Sequence, residues 1–522
     1  MRKIFPIVTA FMFFAGIFAP IAALFMRITP EGFLQVINSP QFSSALWNSL
    51  WTGLIAATIS TSLGLAAAWC IERSSINGKK FFALVFSLPM LIPSISHSFG
   101  LVAMFGANGQ LTNFFNLNIN IYGASGIVAG SVMYAFPVAF FIFSGVLHCE
   151  DGSPYLAAKV LGVPKFRQFI DLTIPYLKRT IISTFFAMFS MIVTDYGVPL
   201  MIGGKTLTLS VLMYNKAVSM MDYSAGSVIG AFLIVPALIA FFADIFNPPP
   251  KQNDFAKNIS FVEKNSNRAV FIFCVCLSVL IIAPLATFFV MTFATKYPID
   301  ISFTFYNVMR TVHRGALDNW FNSILISFLA AVVGTLFSFA TAYFSTRAKG
   351  LSAQIVHLLS ILPMTIPGIA LGLSYVIFFH DSAIYGTLTI LAAVNVMHFF
   401  SSPYLMMRNA LEKISENVES IGEVLGVPRK FIIRDIILPK VRPILYEMFA
   451  YFFVNSMMTI SAVSYLAPPA PKPVALMITQ FEAQRLMESA AVVSIIILMT
   501  NLIMKIFITS RQKEKSFKNQ II

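Results

Sequence analysis

Charge is scarce in this sequence. Asp, Glu, Lys and Arg make up 11% of its 522 residues, while 57% are hydrophobic and the mean hydropathy is +0.79. A soluble protein of this length needs far more charge to cover its surface, so a large soluble core is excluded. Cysteine is rare too. Cys70, Cys149, Cys274 and Cys276 show no metal-ligand spacing with histidine, and neither a disulfide nor a metal site is expected. His97, His357, His380 and His398 form no motif. There is no Gly-x4-Gly-Lys-[Ser/Thr]. The stretch Gly203-Gly-Lys-Thr206 lacks the required earlier glycine, because Pro199 stands there. His-Glu-x-x-His and Gly-x-Ser-x-Gly are also absent. The chain is therefore not expected to be an enzyme or to hold a cofactor. The net charge of +14 is spread over many loops rather than gathered in one patch. Nucleic acid is not an expected partner, and the basic residues read instead as orientation signals in membrane lipid.

The sequence does have long apolar runs, each sufficient to cross a bilayer as a helix of about 20 residues. Twelve spans can be drawn, at 4–26, 46–70, 81–105, 124–147, 181–203, 225–246, 269–294, 320–344, 355–379, 387–408, 444–466 and 489–509. The first is too long for the apolar part of a signal peptide. With these spans, 28 of the 36 Lys and Arg residues fall on one side and 8 on the other. Basic loops stay in the cytoplasm, so both termini are expected there. The expected fold is all-α and polytopic, with twelve transmembrane helices forming two parallel six-helix repeats.

The repeat is visible in the residues. Asn48-Ser49, Arg73 and Leu88-Pro-Met-Leu-Ile-Pro93 return as Asn322-Ser323, Arg347 and Leu362-Pro-Met-Thr-Ile-Pro367, each 274 positions later. Leu161-Gly-Val-Pro164 returns as Leu425-Gly-Val-Pro428 at an offset of 264. The ten-residue difference belongs in the Asn-rich segment near 108–122. A polar stretch opening with Asn247-Pro-Pro-Pro250 separates the halves. The division is then a first half 1–246 with a polar loop at 148–180, a linker 247–268, a second half 269–510 with its loop at 410–443, and a basic tail 511–522.

Each repeated loop reads as a short amphipathic helix, a stop and a second helix. In the first, Leu156, Ala157, Val160 and Leu161 recur at helical spacing, Gly162 suits a left-handed stop, and Pro164 suits the start of the next helix. In the second, Ile421, Val424 and Leu425 are apolar, followed by Gly426 and Pro428. A short apolar face of this kind lies on other helices, on lipid, or in a partner's groove.

This pattern resembles the cytoplasmic loop of ABC importer permeases: Glu-Ala-Ala, three residues, Gly, nine residues, Ile-x-Leu-Pro. Ala157-Ala158, Gly162 and Leu172-Thr-Ile-Pro175 match in one copy, and Gly426 and Ile436-Ile-Leu-Pro439 in the other. Ile421-Gly422 replace the two alanines in the second copy, and Leu156 and Ser420 stand where the Glu would be. The resemblance implies a type I importer fold in a bacterial inner membrane. It also implies that these segments are coupling helices, each seated in one of two ATPase subunits. A periplasmic or lipid-anchored binding protein would deliver the solute. The fused form resembles permeases for ferric iron, thiamine and 2-aminoethylphosphonate, and Thr194-Asp-Tyr-Gly-Val-Pro-Leu-Met-Ile-Gly-Gly204 looks most like the last of these.

Candidate translocation-path residues are fewer. Asp195 is an acid in an apolar run, either lining a path or capping a helix end. Thr459 and Ser461 occupy the matching region of the second half. Pro93 and Pro367 close the paired-proline breaks, which serve either as gate-lining kinks or as packing kinks. The competing reading, a secondary transporter driven by an ion gradient, requires charged residues in mid-membrane, which the spans nearly lack.

Overall fold

The computed structural model describes residues 4–116, 119–246, 268–348, 350–415, 417–468 and 472–518. The linker drawn at 247–268 lies outside them, Arg268 excepted. So do the last four residues of the tail. The described chain is mostly helical, and its strands are one short antiparallel pair among the described residues, Ala294–Lys296 with Asp300–Phe303.

Among the described residues, eight helices are long and apolar enough to cross a membrane, and up to eleven spans result if each of three bent pairs counts as one. The span drawn at 444–466 corresponds to Leu438–Met458, which carries Lys440, Arg442, Glu447 and Asn455 and is not among them. The span drawn at 181–203 starts earlier. It belongs to a helix running Lys165–Thr194, broken at Asp195 and followed by the short helix Gly197–Ile202.

The two sharpest bends fall where the sequence repeats its proline pairs. Lys79–Leu91 meets Ser94–Phe114 at 103°, and Leu351–Thr365 meets Gly368–Phe379 at 105°. Proline disfavours helical backbone in the residue before it. Accordingly Ile92 (φ −126°, ψ 153°) and Ile366 (φ −107°, ψ 114°) are extended, and a tight turn holding Pro89 or Pro363 precedes each.

Pro40–Arg73 and Ala316–Arg347 are the long helices of the two repeats. The first begins at Ser39, whose hydroxyl accepts from the Phe42 N–H at 3.2 Å, with proline in the first turn. The two run 34 and 32 residues. At about 1.5 Å per residue each outreaches the ~30 Å hydrocarbon layer, so a terminal arginine need not enter it. Small residues allow close packing, as membrane helices require. A Cβ on Gly64 would lie 2.6 Å from Ala139 Cβ and 2.8 Å from the Phe140 backbone nitrogen. Gly334 meets the Phe452 ring in the same way, at 2.6 Å.

The chain forms two compact units. One gathers residues from 34–215 and 232–307, the other from 1–33, 216–231 and 308–522. The first helix of each sequence half therefore packs on the other half's helices. In the second unit Phe13 contacts Phe337 and Phe400 at 5.5 and 5.0 Å, and Tyr375 donates to the Gly16 carbonyl at 2.8 Å. In the first unit Phe288 stacks on Phe99 at 5.4 Å, Phe271 meets Phe82 at 5.8 Å, and a Cβ on Gly100 would sit 2.7 Å from Pro284.

Candidate functional site: two repeated loops and the broken helices

The first loop holds the helix Ser153–Val160, opened by Asp151, which accepts from the Ser153 N–H at 3.1 Å and its hydroxyl at 2.9 Å. It ends at Gly162 with φ +70°, and the Val163 N–H closes back on the Ala158 carbonyl at 2.9 Å. The second loop is built alike. Asn417–Val424 ends at Gly426, also at φ +70°, and the Val427 N–H returns to the Gly422 carbonyl at 2.9 Å. This six-to-one closure needs a left-handed residue, which glycine adopts without strain. Pro164 and Pro428 stand one position outside the next helix, as its N-cap, rather than inside its first turn. Pro175 and Pro439 follow a widened helical turn at Phe169–Thr173 and Ile433–Ile437. Proline lacks an N–H and crowds the preceding turn, and a wide turn accommodates both.

Tyr155 and Ala158 are buried, whereas Leu156, Ala157, Val160 and Leu161 face outward, with Val160 88% exposed. In the second copy Glu419 and Gly422 point inward, while Ile421, Val424 and Leu425 face outward, with Val424 87% exposed. The apolar face is thus the free face in both loops. A Cβ on Gly422 would stand 2.3 Å from the Ile432 Cδ1, so the Ile432 side chain packs over this glycine.

Buried charge anchors each loop, which the sequence reading missed. Arg73, the last residue of its helix, donates to the Leu147 carbonyl at 3.3 Å and pairs with Glu150, both side chains being 6% exposed. The Tyr155 hydroxyl donates to Glu150 at 2.8 Å and lies 2.7 Å from the Thr173 hydroxyl. Burial pushes the Glu150 carboxyl above its ordinary range, against the pull of Arg73 and Tyr155, and raises the Tyr155 phenol as well. Arg347 donates to the Leu411 and Ile414 carbonyls at 3.3 and 2.8 Å and pairs with Glu419 at 3.2 Å; the Tyr343 hydroxyl donates to the same carboxylate at 2.9 Å. The repeated arginines at offset 274 were the available signal. Their acidic partners were not legible, because Glu150 and Glu419 occupy different places in the repeat.

Asp195 and Thr459 cap equivalent helix ends with nearly identical backbone, φ −68°, ψ 134° and φ −69°, ψ 135°. The Asp195 carboxylate accepts from the Val198 N–H at 2.8 Å and also from Ser94, so it caps the short helix Gly197–Ile202. The break in each half brings a serine against a glycine, with the two exchanged. A Cβ on Gly197 would sit 2.4 Å from Ser94 Oγ, and one on Gly368 would sit 2.7 Å from Ser461 Oγ and 2.9 Å from His398 Nε2. Pro93 and Pro367 are buried beside these contacts. Near the second break, Asn395 is fully buried with neither side-chain polar atom partnered, and His398 Nδ1 is unpartnered too. In the first half, His97 Nε2 is likewise buried and unpartnered.

The stop glycines give a sharp expectation. Nothing lies within 4 Å of a Cβ at Gly162 or Gly426, so space is not the constraint and backbone conformation is. Gly162→Asn should be tolerated. Gly162→Val, β-branched at positive φ, should cost about 1–2 kcal/mol and unseat the helix end. Limited proteolysis of the loop in the two variants measures the difference, and equal cleavage would remove the left-handed stop from the account.

A family profile described as binding-protein-dependent transport system inner membrane component matches residues 60–248 and again 334–512. The two starts differ by 274 and the two ends by 264, the same offsets as the internal repeat. The chain is 24% identical over 484 residues to the ferric transport system permease protein FbpB of Actinobacillus pleuropneumoniae, covering 87% of this chain and 70% of that one. It is 24% identical over 459 residues to a putative ferric transport system permease protein, FbpB 1, of Haemophilus influenzae, covering 84% and 72%. A probable sulfate transport system permease protein, cysT, of Prototheca wickerhamii is 28% identical over 233 residues, and 91% of it is accommodated by 43% of this chain. These relatives lend no support to the phosphonate expectation. With both repeats matched across most of its length, the chain belongs to the family of binding-protein-dependent transport system inner membrane components, as a fused two-half ABC importer permease.

Proposed function

We propose that the chain is the transmembrane subunit of an ATP-driven importer, with one ATPase subunit docked on each coupling loop. The supporting observation is the pair of outward apolar faces around Val160 and Val424, equivalent in the repeat and exposed to nearly the same degree. Residues Ala157, Ala158, Gly162, Pro164 and Pro175 in one loop, and Ile421, Gly422, Gly426, Pro428 and Pro439 in the other, shape these docking elements. Both termini and the linker lie on the ATPase side. The two repeats move against each other, each carrying the first helix of the other half, and a periplasmic or lipid-anchored binding protein supplies the solute on the opposite side.

Within each unit the broken helix, at Pro93 in one and at Pro367 in the other, is the candidate lining of the solute path, and Ser461 and Thr459 join it in the second half. Asp195 serves that path by fixing a helix end rather than by offering a free charge. Ferric iron is the preferred solute, on the strength of relatives that span most of both chains.

The test is reconstitution of the chain with the ATPase and binding protein encoded beside it. The expected result is a complex with two ATPase copies, and ferric uptake that requires ATP and survives collapse of the proton gradient. Uptake that follows the ion gradient, with no ATPase bound, would make the chain a secondary transporter instead.

A further inference from the structure

The two arginine anchors use the same parts in different arrangements. By the repeat offsets, Arg73 corresponds to Arg347, and Leu147 to Leu411. Each arginine ends a long membrane helix and donates to the corresponding leucine carbonyl at the same 3.3 Å. Each is paired with a glutamate that also accepts from a tyrosine hydroxyl, at 2.8 Å in one half and 2.9 Å in the other. Yet the acid and the tyrosine have changed places. Glu150 precedes the first coupling helix and corresponds to Ile414, whereas Glu419 lies on the second coupling helix and corresponds to Tyr155. The tyrosine lies on the coupling helix in one half, and on the long membrane helix, as Tyr343, in the other. What the repeats share is the tie between helix end and loop, not the residue that makes it.

We propose that Arg73 and Arg347 are positioning residues for transport: each clamps its coupling helix to the end of a long membrane helix, so that a displacement of the one becomes a displacement of the other. This rests on the reading of the loops as ATPase docking sites. An eight-residue helix is not stable alone. The first coupling helix buries only Tyr155 and Ala158 as its footprint. Apolar contact over so small a footprint is non-directional and lets a helix slide or roll. A forked guanidinium fixed to a carbonyl and a carboxylate resists both motions. Removing one partner leaves the other charge buried and unpaired, so the clamp is not easily opened during the cycle.

The exchange of positions supplies the test. Glu150→Ile, made in the full chain assembled with its ATPase and binding protein, removes the acid as the second half does at Ile414. Tyr155→Glu, added to it, rebuilds the second-half arrangement, and Trp69→Tyr completes it, since Trp69 corresponds to Tyr343. The readout is solute moved per ATP hydrolysed in proteoliposomes, with bound ATPase measured in parallel. Glu150→Ile should lower that ratio at least about tenfold while both ATPase copies stay bound. The combined variant should return to within about twofold of the original. Unchanged coupling in Glu150→Ile would overturn the proposal, as would a folded, ATPase-bound combined variant that stays uncoupled. Loss of ATPase from the single variant would make Glu150 a docking residue and overturn the positioning role. If Glu150→Ile does not accumulate, Glu419→Gln keeps shape and removes only charge, and full coupling there overturns the proposal equally. Failure of the original chain to bind any ATPase would overturn the docking reading itself, and this one with it.

Discussion

A chain carrying Val160→Asp and Val424→Asp together should fold and accumulate normally but fail to hold its ATPase subunits. Both side chains are almost fully solvent-exposed in the isolated permease, so their replacement leaves its own packing intact. In a docked complex they become the centre of an apolar contact. Burying a valine contributes about 1.5–3 kcal/mol, and a carboxylate in its place must be desolvated without a partner. The expected loss of affinity at each loop is about 100-fold or more. Co-purification of the ATPase with each single variant and with the double variant measures it. One ATPase copy should remain in each single variant, and none in the double. Retention of both copies by the double variant would mean that the outward faces are not the docking surface.

Gly64→Leu should have the opposite character, leaving every loop untouched while disrupting the first unit. The Gly64 backbone approaches the helix Ala124–His148 so closely that even a methyl group would press on the Phe140 backbone nitrogen, which cannot swing aside. The helices must separate, and the small-residue contacts at Ala56, Ala57, Ala67 and Ala68 loosen with them. A loss of about 3 kcal/mol is expected, at the upper end for overpacking. Gly145→Leu is the matched control. It lies on the helix Ala124–His148 with nothing within 4 Å of its Cβ. There the better helix former should be neutral or stabilising by up to about 1 kcal/mol. The fraction of each variant that stays monodisperse in detergent after heating reads the contrast. Equal survival of the two would show that the close approach at Gly64 is not a determinant of stability.

Much of this architecture was legible before any fold was known, and for a consistent reason. The features that could be read are local. A proline pair forces a bend in its own few residues, so Pro89/Pro93 and Pro363/Pro367 announced breaks that the structure sets at 103° and 105°. A glycine after an amphipathic stretch announces a left-handed stop, and both stops occur at φ +70°. Duplication adds a check on local reading, because each feature appears twice at a fixed offset. The span count was less secure. Leu438–Met458 mixes charged and apolar residues, and a hydropathy pattern does not tell a polar helix packed among others from one outside the membrane.

The candidate site divides along the same line. Its helix-stop-helix form, its stop glycines and its place in both repeats follow from the sequence alone. Which face of each loop helix is buried does not, because an amphipathic pattern gives two faces without saying which finds a partner within the chain. Tyr155 and Glu419 turn inward because Arg73 and Arg347 wait there, and those arginines come from helices 82 and 72 positions away in the chain. The exchange of the first helices of the two halves is likewise invisible in sequence. Residues 5–26 and 269–293 hold no charged side chain and carry no mark of their neighbours. Sequence determined what each segment is, since backbone preference and hydrophobic period are properties of a few adjacent residues. Tertiary structure alone decided which segments meet and which charges pair, since a contact between distant segments depends on both partners' shapes at once.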